Sequence, residues 1–228
     1  MREVDRAMIE DYGITLLQMM ENAGRNLARL AQQLFLKKGE EKLVLILAGS
    51  GGNGGGALVC GRFLHNWGYS IRIGLSKAEQ AFSGVPRDQL NIMKKLGVNI
   101  TNDRSFGPMQ KFALIIDGLI GYSLSGRVSG LTAEWIEWTN QQDCPVLSLD
   151  VPSGLDATQG FLSEPVIRAT ATMTLALPKT GLIEELARKL VGHLYLADIG
   201  VPPQLYARPP LNLSVGNLFR KESIVKII

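Results

Sequence analysis

Cysteine and histidine are almost missing from this 228-residue chain, which has two of each. Cys60 and Cys144 lie far apart without metal-ligand spacing, which excludes a disulfide framework and a thiolate zinc site. They read as core thiols of a reducing compartment, so the cytoplasm is the expected location. His65 and His193 accompany no Ser or Cys in a recognisable nucleophile elbow, and a hydrolase triad has no support. No apolar run approaches membrane-spanning length, and the start lacks the basic-then-apolar order of a secretory signal. Charge of one sign is scarce too. The formal net charge is +3 and the basic residues are dispersed, so duplex nucleic acid is a poor partner. Internal repeats and low-complexity tracts are absent, and the first convincing linker is the Pro-rich stretch from Pro202-Pro203 to Pro209-Pro210.

What the chain has in quantity is apolar sequence, 46% of its residues, enough to bury one large α/β core. Residues 2–12 and 15–37 read as helices; in the second, Leu16, Met19, Met20, Ala23, Leu27, Leu30 and Leu34 recur at three- and four-residue spacings. A loop at Gly39 then leads to the buried-type strand 43–48. Further strands are expected at 69–75, 98–100, 112–116, 145–149, 170–176 and 193–198, with helices at 57–64, 87–96, 131–141 and 182–191. Trp135, Trp138 and the Met19-Met20 pair fit core packing. The tail 211–228 is expected to pack on the surface. Strands alternating with helices call for a three-layer αβα sandwich, with a Rossmann-like, mostly parallel sheet covered on both faces.

Gly49-Ser50-Gly51-Gly52-Asn53-Gly54-Gly55-Gly56 separates the first strand from its helix. Glycines there let successive N–H groups converge on phosphate oxygens, beside the partial positive charge of a helix N-terminus. Gly49, Gly51 and Gly54 formally match a dinucleotide fingerprint. That fingerprint expects an acid at the end of the second strand, where this chain has Ser76 and Lys77, so a standard NAD-dependent dehydrogenase is disfavoured; Lys77 could tolerate an extra phosphate. No Lys-Ser or Lys-Thr pair follows the glycines, which excludes a Walker loop. Two acids also stand at strand ends, Asp117 and Asp150. Ligands in such sheets bind at the carboxyl ends of strands, so these acids and the glycine loop should share one rim. Asp117 could serve as base, hard-cation ligand or cap, and Arg127 could meet phosphate bidentately. In Asp150-Val151-Pro152-Ser153-Gly154-Leu155-Asp156, Pro152 fixes one dihedral and Gly154 frees another, aiming the Asp150 and Ser153 oxygens.

In this order the pieces resemble the NAD(P)H-hydrate epimerase family, the YjeF N-terminal domain, over nearly the whole chain. Met20-Glu21-Asn22-Ala23-Gly24-Arg25 is similar to its helix signature, and 49–56 to its substrate loop. Asp117-Gly118-Leu119-Ile120-Gly121 is similar to its Asp-bearing strand end, and the 150–156 turn to its most specific motif. Leu177-Pro178-Lys179-Thr180-Gly181-Leu182 and Ala197-Asp198-Ile199-Gly200-Val201-Pro202 complete the match.

The resemblance implies one such domain over 1–228, either cut from a longer chain with a C-terminal dehydratase domain or working beside a separate ADP- or ATP-dependent dehydratase. It implies a homodimer. It also implies an isomerase for NADH or NADPH carrying water at C6 of the nicotinamide ring, interconverting R and S epimers. A potassium ion would fall to Asn53, Asp117 and Ser153. Substrate contacts would fall to Gly52, Asn53, Gly54, Gly55 and Gly56, to Gly121, Tyr122, Ser123, Leu124, Ser125, Gly126 and Arg127, and to Asp150. Asp117 is the first choice for proton transfer, with Asp150 holding substrate. The family's loop usually reads Asn-Asn-Gly-Gly-Asp, whereas this chain has Gly52 and Gly56 at the ends. That departure keeps a second reading open, a catalytically silent nucleotide-binding or interaction module on the same fold.

Overall fold

The computed structural model describes residues 1–36, 42–103, 110–124, 126–157 and 164–228. Ser125, the loop at Gly39 and the expected end of the second helix at residue 37 lie outside them. Helix α1 (Arg2–Glu10) buries Val4, Ala7 and Met8. Helix α2 (Leu16–Leu34) starts at a capping box, in which the Thr15 side chain accepts from the Gln18 backbone N–H and the Gln18 side chain accepts from the Thr15 backbone N–H. Its stripe from Met19 to Leu30 faces the core, while Leu16 stays 40% exposed at its first turn.

Among the described residues eight strands form one sheet: β1 (Leu43–Ala48), β2 (Ser70–Leu75), β3 (Asn99–Thr101), β4 (Leu114–Gly118), β5 (Val146–Leu149), β6 (Ala171–Leu175), β7 (His193–Ala197) and β8 (Ile224–Lys226). Their order is β3-β2-β1-β4-β5-β6-β7-β8, with β1 to β7 parallel and β8 antiparallel to β7. The helices between them are α3 (Gly52–Asn66), α4 (Gly84–Lys95), α5 (Gly130–Thr139), α6 (Thr180–Ile183), α7 (Glu185–Val191) and α8 (Pro203–Ala207). The period-two geometry of β1 splits the core into layers. Val44, Ile46 and Ala48 pack with Leu27, Leu58 and Met93 on one face, and Leu45 and Leu47 pack with Trp135 and Ile136 on the other. Fully buried Trp135 satisfies its indole by donating Nε1–H to the Leu75 carbonyl at 3.0 Å. This is the expected αβα sandwich with its mostly parallel sheet.

Three local expectations change. The helix expected at 182–191 is two pieces, α6 and α7, separated at Glu184, which takes extended backbone angles. The Pro-rich stretch is not a linker: Pro202 precedes α8, whose Leu205 and Tyr206 are buried with Val4 and Met8 of α1. The tail adds β8 to the sheet edge, with Ala197 paired to Ile224. An added strand gives the N–H and C=O row of β7 a partner that surface packing would not. Among the described residues no helix is long and apolar enough to cross a membrane.

Candidate active site at the carboxyl rim

The sheet order reverses between β1 and β4, and there a cavity of about 600 Å³ opens at the carboxyl ends of the strands. The glycine run enters it differently from the expectation of a loop through Gly56. Helix α3 begins at Gly52, so Gly52 to Gly56 form its first turns. A Cβ on Gly54 would lie 1.7 Å from the Gly49 carbonyl oxygen, one on Gly55 2.6 Å from Met20 Sδ, and one on Gly56 2.8 Å from Leu149 Cδ2. These three glycines allow close packing of the strand, its turn and α2. Gly51 and Gly52 meet nothing within 4 Å and border the cavity with Asn53 and Gly56. Open backbone at the helix N-terminus is the part of the run suited to an anion.

Asp117 and Asp150 have separate environments. Asp117 is completely buried and does not border the cavity. Its Oδ1 accepts from Ser153 Oγ at 2.6 Å and the Leu119 N–H at 3.2 Å; Oδ2 accepts from Ser148 Oγ at 2.8 Å and the Ser153 N–H at 2.9 Å. Burial pushes this carboxyl above the usual carboxylate range, against the opposing pull of those hydrogen bonds.

Asp150 borders the cavity. It has a φ of +66°, a left-handed conformation that Asp adopts more readily than most residues. Its Oδ2 accepts from the Tyr122 N–H at 3.3 Å, while Oδ1 accepts from Lys179 Nζ. Lys179 Nζ also donates to Thr174 Oγ1 at 3.0 Å and to the Leu175 carbonyl at 2.9 Å, using all three of its donors. Ala176, on the way from β6 to Lys179, is also left-handed at φ +62°, so strained backbone flanks both members of the pair.

Gly121, Tyr122, Ser123, Leu124 and Arg127 also line the cavity, while Gly126 is exposed and outside the lining. Tyr122 donates its hydroxyl to Asp5 of α1; burial first, then that carboxylate, pushes the phenol upward. Sequence reasoning gave Lys179, Asp5 and Ser148 no role. Lys179 was legible as part of a motif, but nothing in the spacing showed that it reaches across a strand to Asp150.

The oxygens around Asn53 and Asp117 suit a hard monovalent cation. The Asn53 amide nitrogen is committed to the Leu149 carbonyl at 3.0 Å, which leaves Oδ1 turned toward Gly121, 3.3 Å from where a Cβ there would lie. Ser153 Oγ lies between Asp117 and the Ile120 backbone, accepting its N–H at 2.9 Å. Among the described residues no group of three His, Cys, Asp or Glu side chains is arranged for a metal ion.

The family model described as YjeF-related protein N-terminus matches residues 16–181. The chain belongs to this family. It is 42% identical over 215 residues to a protein of Dehalogenimonas lykanthroporepellens named NAD(P)H-hydrate epimerase, covering 92% of this chain and 84% of that one. A Truepera radiovictrix protein of the same name is 37% identical, covering 86% and 84%. The chain is also 33% identical to a Moorella thermoacetica protein named bifunctional NAD(P)H-hydrate repair enzyme Nnr, spanning 93% of this YjeF-type chain but 41% of that protein. The crystal structure of yeast YNL200c superposes with a TM-score of 0.83 over 99% of this chain and 96% of its own, at 24% identity, which establishes the fold.

Proposed function

We propose that this YjeF-type chain is an NAD(P)H-hydrate epimerase, which interconverts the R and S forms of NADH or NADPH hydrated at C6 of the nicotinamide ring. The observation that carries this reading is the Asp150–Lys179 pair at the border of the switch-point cavity. Its relatives named as epimerases, up to 42% identical, support it.

C6 of the hydrate is a hemiaminal carbon. Protonating its hydroxyl lets water leave, the ring nitrogen lone pair forms a planar iminium, and water returns to either face while losing a proton. One group must give the first proton and accept the last. Asp150 and Lys179 share this role: Lys179 Nζ passes its proton through the Asp150 carboxylate at the cavity border to the leaving hydroxyl and recovers it when water returns, and the carboxylate's negative charge favours the cationic intermediate. Asp117, expected from sequence both to transfer the proton and to hold potassium, keeps only the potassium role, with Asn53 and Ser153. Its burial and its four hydrogen bonds leave no path to substrate. Potassium there would offset the buried negative charge and brace the turn that carries Asp150. The open backbone at Gly51 and Gly52 would take the pyrophosphate.

The S epimer would pass to an ADP- or ATP-dependent dehydratase; the longer relative named as bifunctional supports such a partnership. Exposed Ile9 and Leu17 on the N-terminal helices support a homodimer through that end, and the cytoplasm suits the two free thiols. The deciding experiment gives the protein potassium and one trapped epimer of NADPH hydrate, and follows re-equilibration above the spontaneous rate. Acceleration proportional to enzyme supports the reading. Binding without acceleration returns the silent-module alternative.

A further inference from the structure

Lys77 and Arg127 are cationic side chains bordering the cavity, and no side chain among the described residues pairs with either. Of the acids on the same border, Asp150 is ion-paired with Lys179, while Asp5 accepts a hydrogen bond from the neutral Tyr122 hydroxyl and keeps its charge. The two unpaired cations outnumber that one carboxylate, and Lys77 follows a strand distant from Asp150.

The sheet register fixes the separation. Ala48 at the end of β1 pairs with Leu75 on one side and Gly118 on the other, and Asp117 pairs with Ser148 on β5. Ser76-Lys77 and Asp150 thus follow strand ends at nearly the same level, three strands apart. At ~4.8 Å per strand this is about 14 Å, a span that an extended dinucleotide covers. The open start of α3 lies between them, beyond β1. With the hydrated ring at Asp150 and the pyrophosphate at Gly51 and Gly52, the adenosine ribose falls over the end of β2. An acid there accepts from the 2′- and 3′-hydroxyls, whereas a cation there suits a 2′-phosphate. This chain has buried Ser76, with its hydroxyl available, and exposed Lys77.

We propose that Ser76 and Lys77 form a 2′-phosphate subsite, which makes the hydrate of NADPH a better substrate than the hydrate of NADH. The proposal rests on the epimerase reading for the position of the ring, but its first test needs no turnover. Calorimetry compares adenosine 2′,5′-bisphosphate with 5′-AMP. The wild type should bind the bisphosphate about tenfold or more tightly, the scale of one charge-assisted hydrogen bond. Lys77→Ala should bring the two affinities to within about twofold, and Lys77→Glu should invert their order. The kcat/KM ratio for NADPH hydrate over NADH hydrate should fall at least tenfold in Lys77→Ala. Lys77 is exposed, and an unchanged Tm confirms that the fold is intact.

Equal affinities in the wild type, binding of neither ligand, or equal weakening of both by Lys77→Ala each overturn the subsite. Efficient epimerisation of both hydrates at equal kcat/KM overturns the subsite and leaves the epimerase reading standing. Selective bisphosphate binding without turnover leaves the subsite standing and overturns that reading.

Discussion

Lys179 and Asp150 form an ion pair whose side chains are 6% and 4% exposed, and the two residues approach from different strands. Lys179 follows β6 and Asp150 follows β5, each beyond a left-handed residue or in one. Removing one partner should therefore leave a buried charge without compensation.

Asp150→Asn keeps the shape and the tolerance for a positive φ but cannot exchange a proton. Its epimerisation rate should fall by about 10²–10⁴. Stability should fall by about 3–5 kcal/mol, the cost of breaking a buried pair. Lys179→Met should also destabilise, and the double variant should lose less than the sum of the singles. Denaturant unfolding of the four proteins measures that coupling.

Potassium should raise Tm, and Asp117→Asn should abolish the rise. At a potassium concentration a hundred times Kd the stabilisation is about 2.7 kcal/mol. The pH dependence has a definite sign. Burial raises the Asp117 carboxyl above its unfolded value, so folding takes up a proton between the two values. Without potassium, stability falls as pH rises through that window. Bound cation favours the ionised form and should flatten the fall. Thermal melts across acidic and neutral pH, in potassium and in a bulky organic cation, test both statements.

Gly54→Ala and Gly52→Ala should differ sharply despite their proximity. A Cβ at Gly54 meets a backbone carbonyl that cannot rotate away, so about 1–3 kcal/mol or more should be lost. Gly52 is the first residue of α3 and has open space. Alanine there should leave stability unchanged or raise it by up to about 1 kcal/mol. Gly52→Asn, which restores the family's usual residue, should likewise fold normally.

Tyr122→Phe removes the hydroxyl that ties the cavity wall to Asp5 on α1. A bond to a carboxylate contributes about 1.5–3 kcal/mol when shielded, and half-buried Asp5 puts this one at or below the lower end. KM should rise more than kcat falls, because the residue shapes the wall and does not move the proton.

Cys144 should resist alkylation at pH 8, since burial and neighbouring Asp143 push its thiol up to about 11. The thiolate is then roughly a thousandth of the total. Cys60 is fully buried and should be slower still. A native thiol titration should find neither quickly, and a denatured one should find both.

The layer order and the common rim of the glycine run, Asp117 and Asp150 follow from local sequence. Apolar runs of strand length alternate with helical periodicity, and parallel strands place their ends on one side. The extent of the glycine turn did not follow. Helix propensity assigns Gly52 to Gly56 to a loop, but packing against Met20 and Leu149 makes them helix. Tertiary contact outweighs the roughly 1 kcal/mol that glycine costs at each helical position. β8 escaped notice because a three-residue strand carries little periodic signal and exists through pairing with β7.

The sequence by itself determined the fold class, the family and the identity of the polar residues at the rim, because these depend on residue type and order. Tertiary structure decided which of two similar aspartates faces the cavity. Asp117 and Asp150 both end apolar strands, and no spacing rule separates them. Ser148 and Ser153 enclose the first, while a left-handed turn presents the second to Lys179 and the cavity. Burial and partnership belong to contacts between distant segments, and those contacts set the chemistry of each carboxylate.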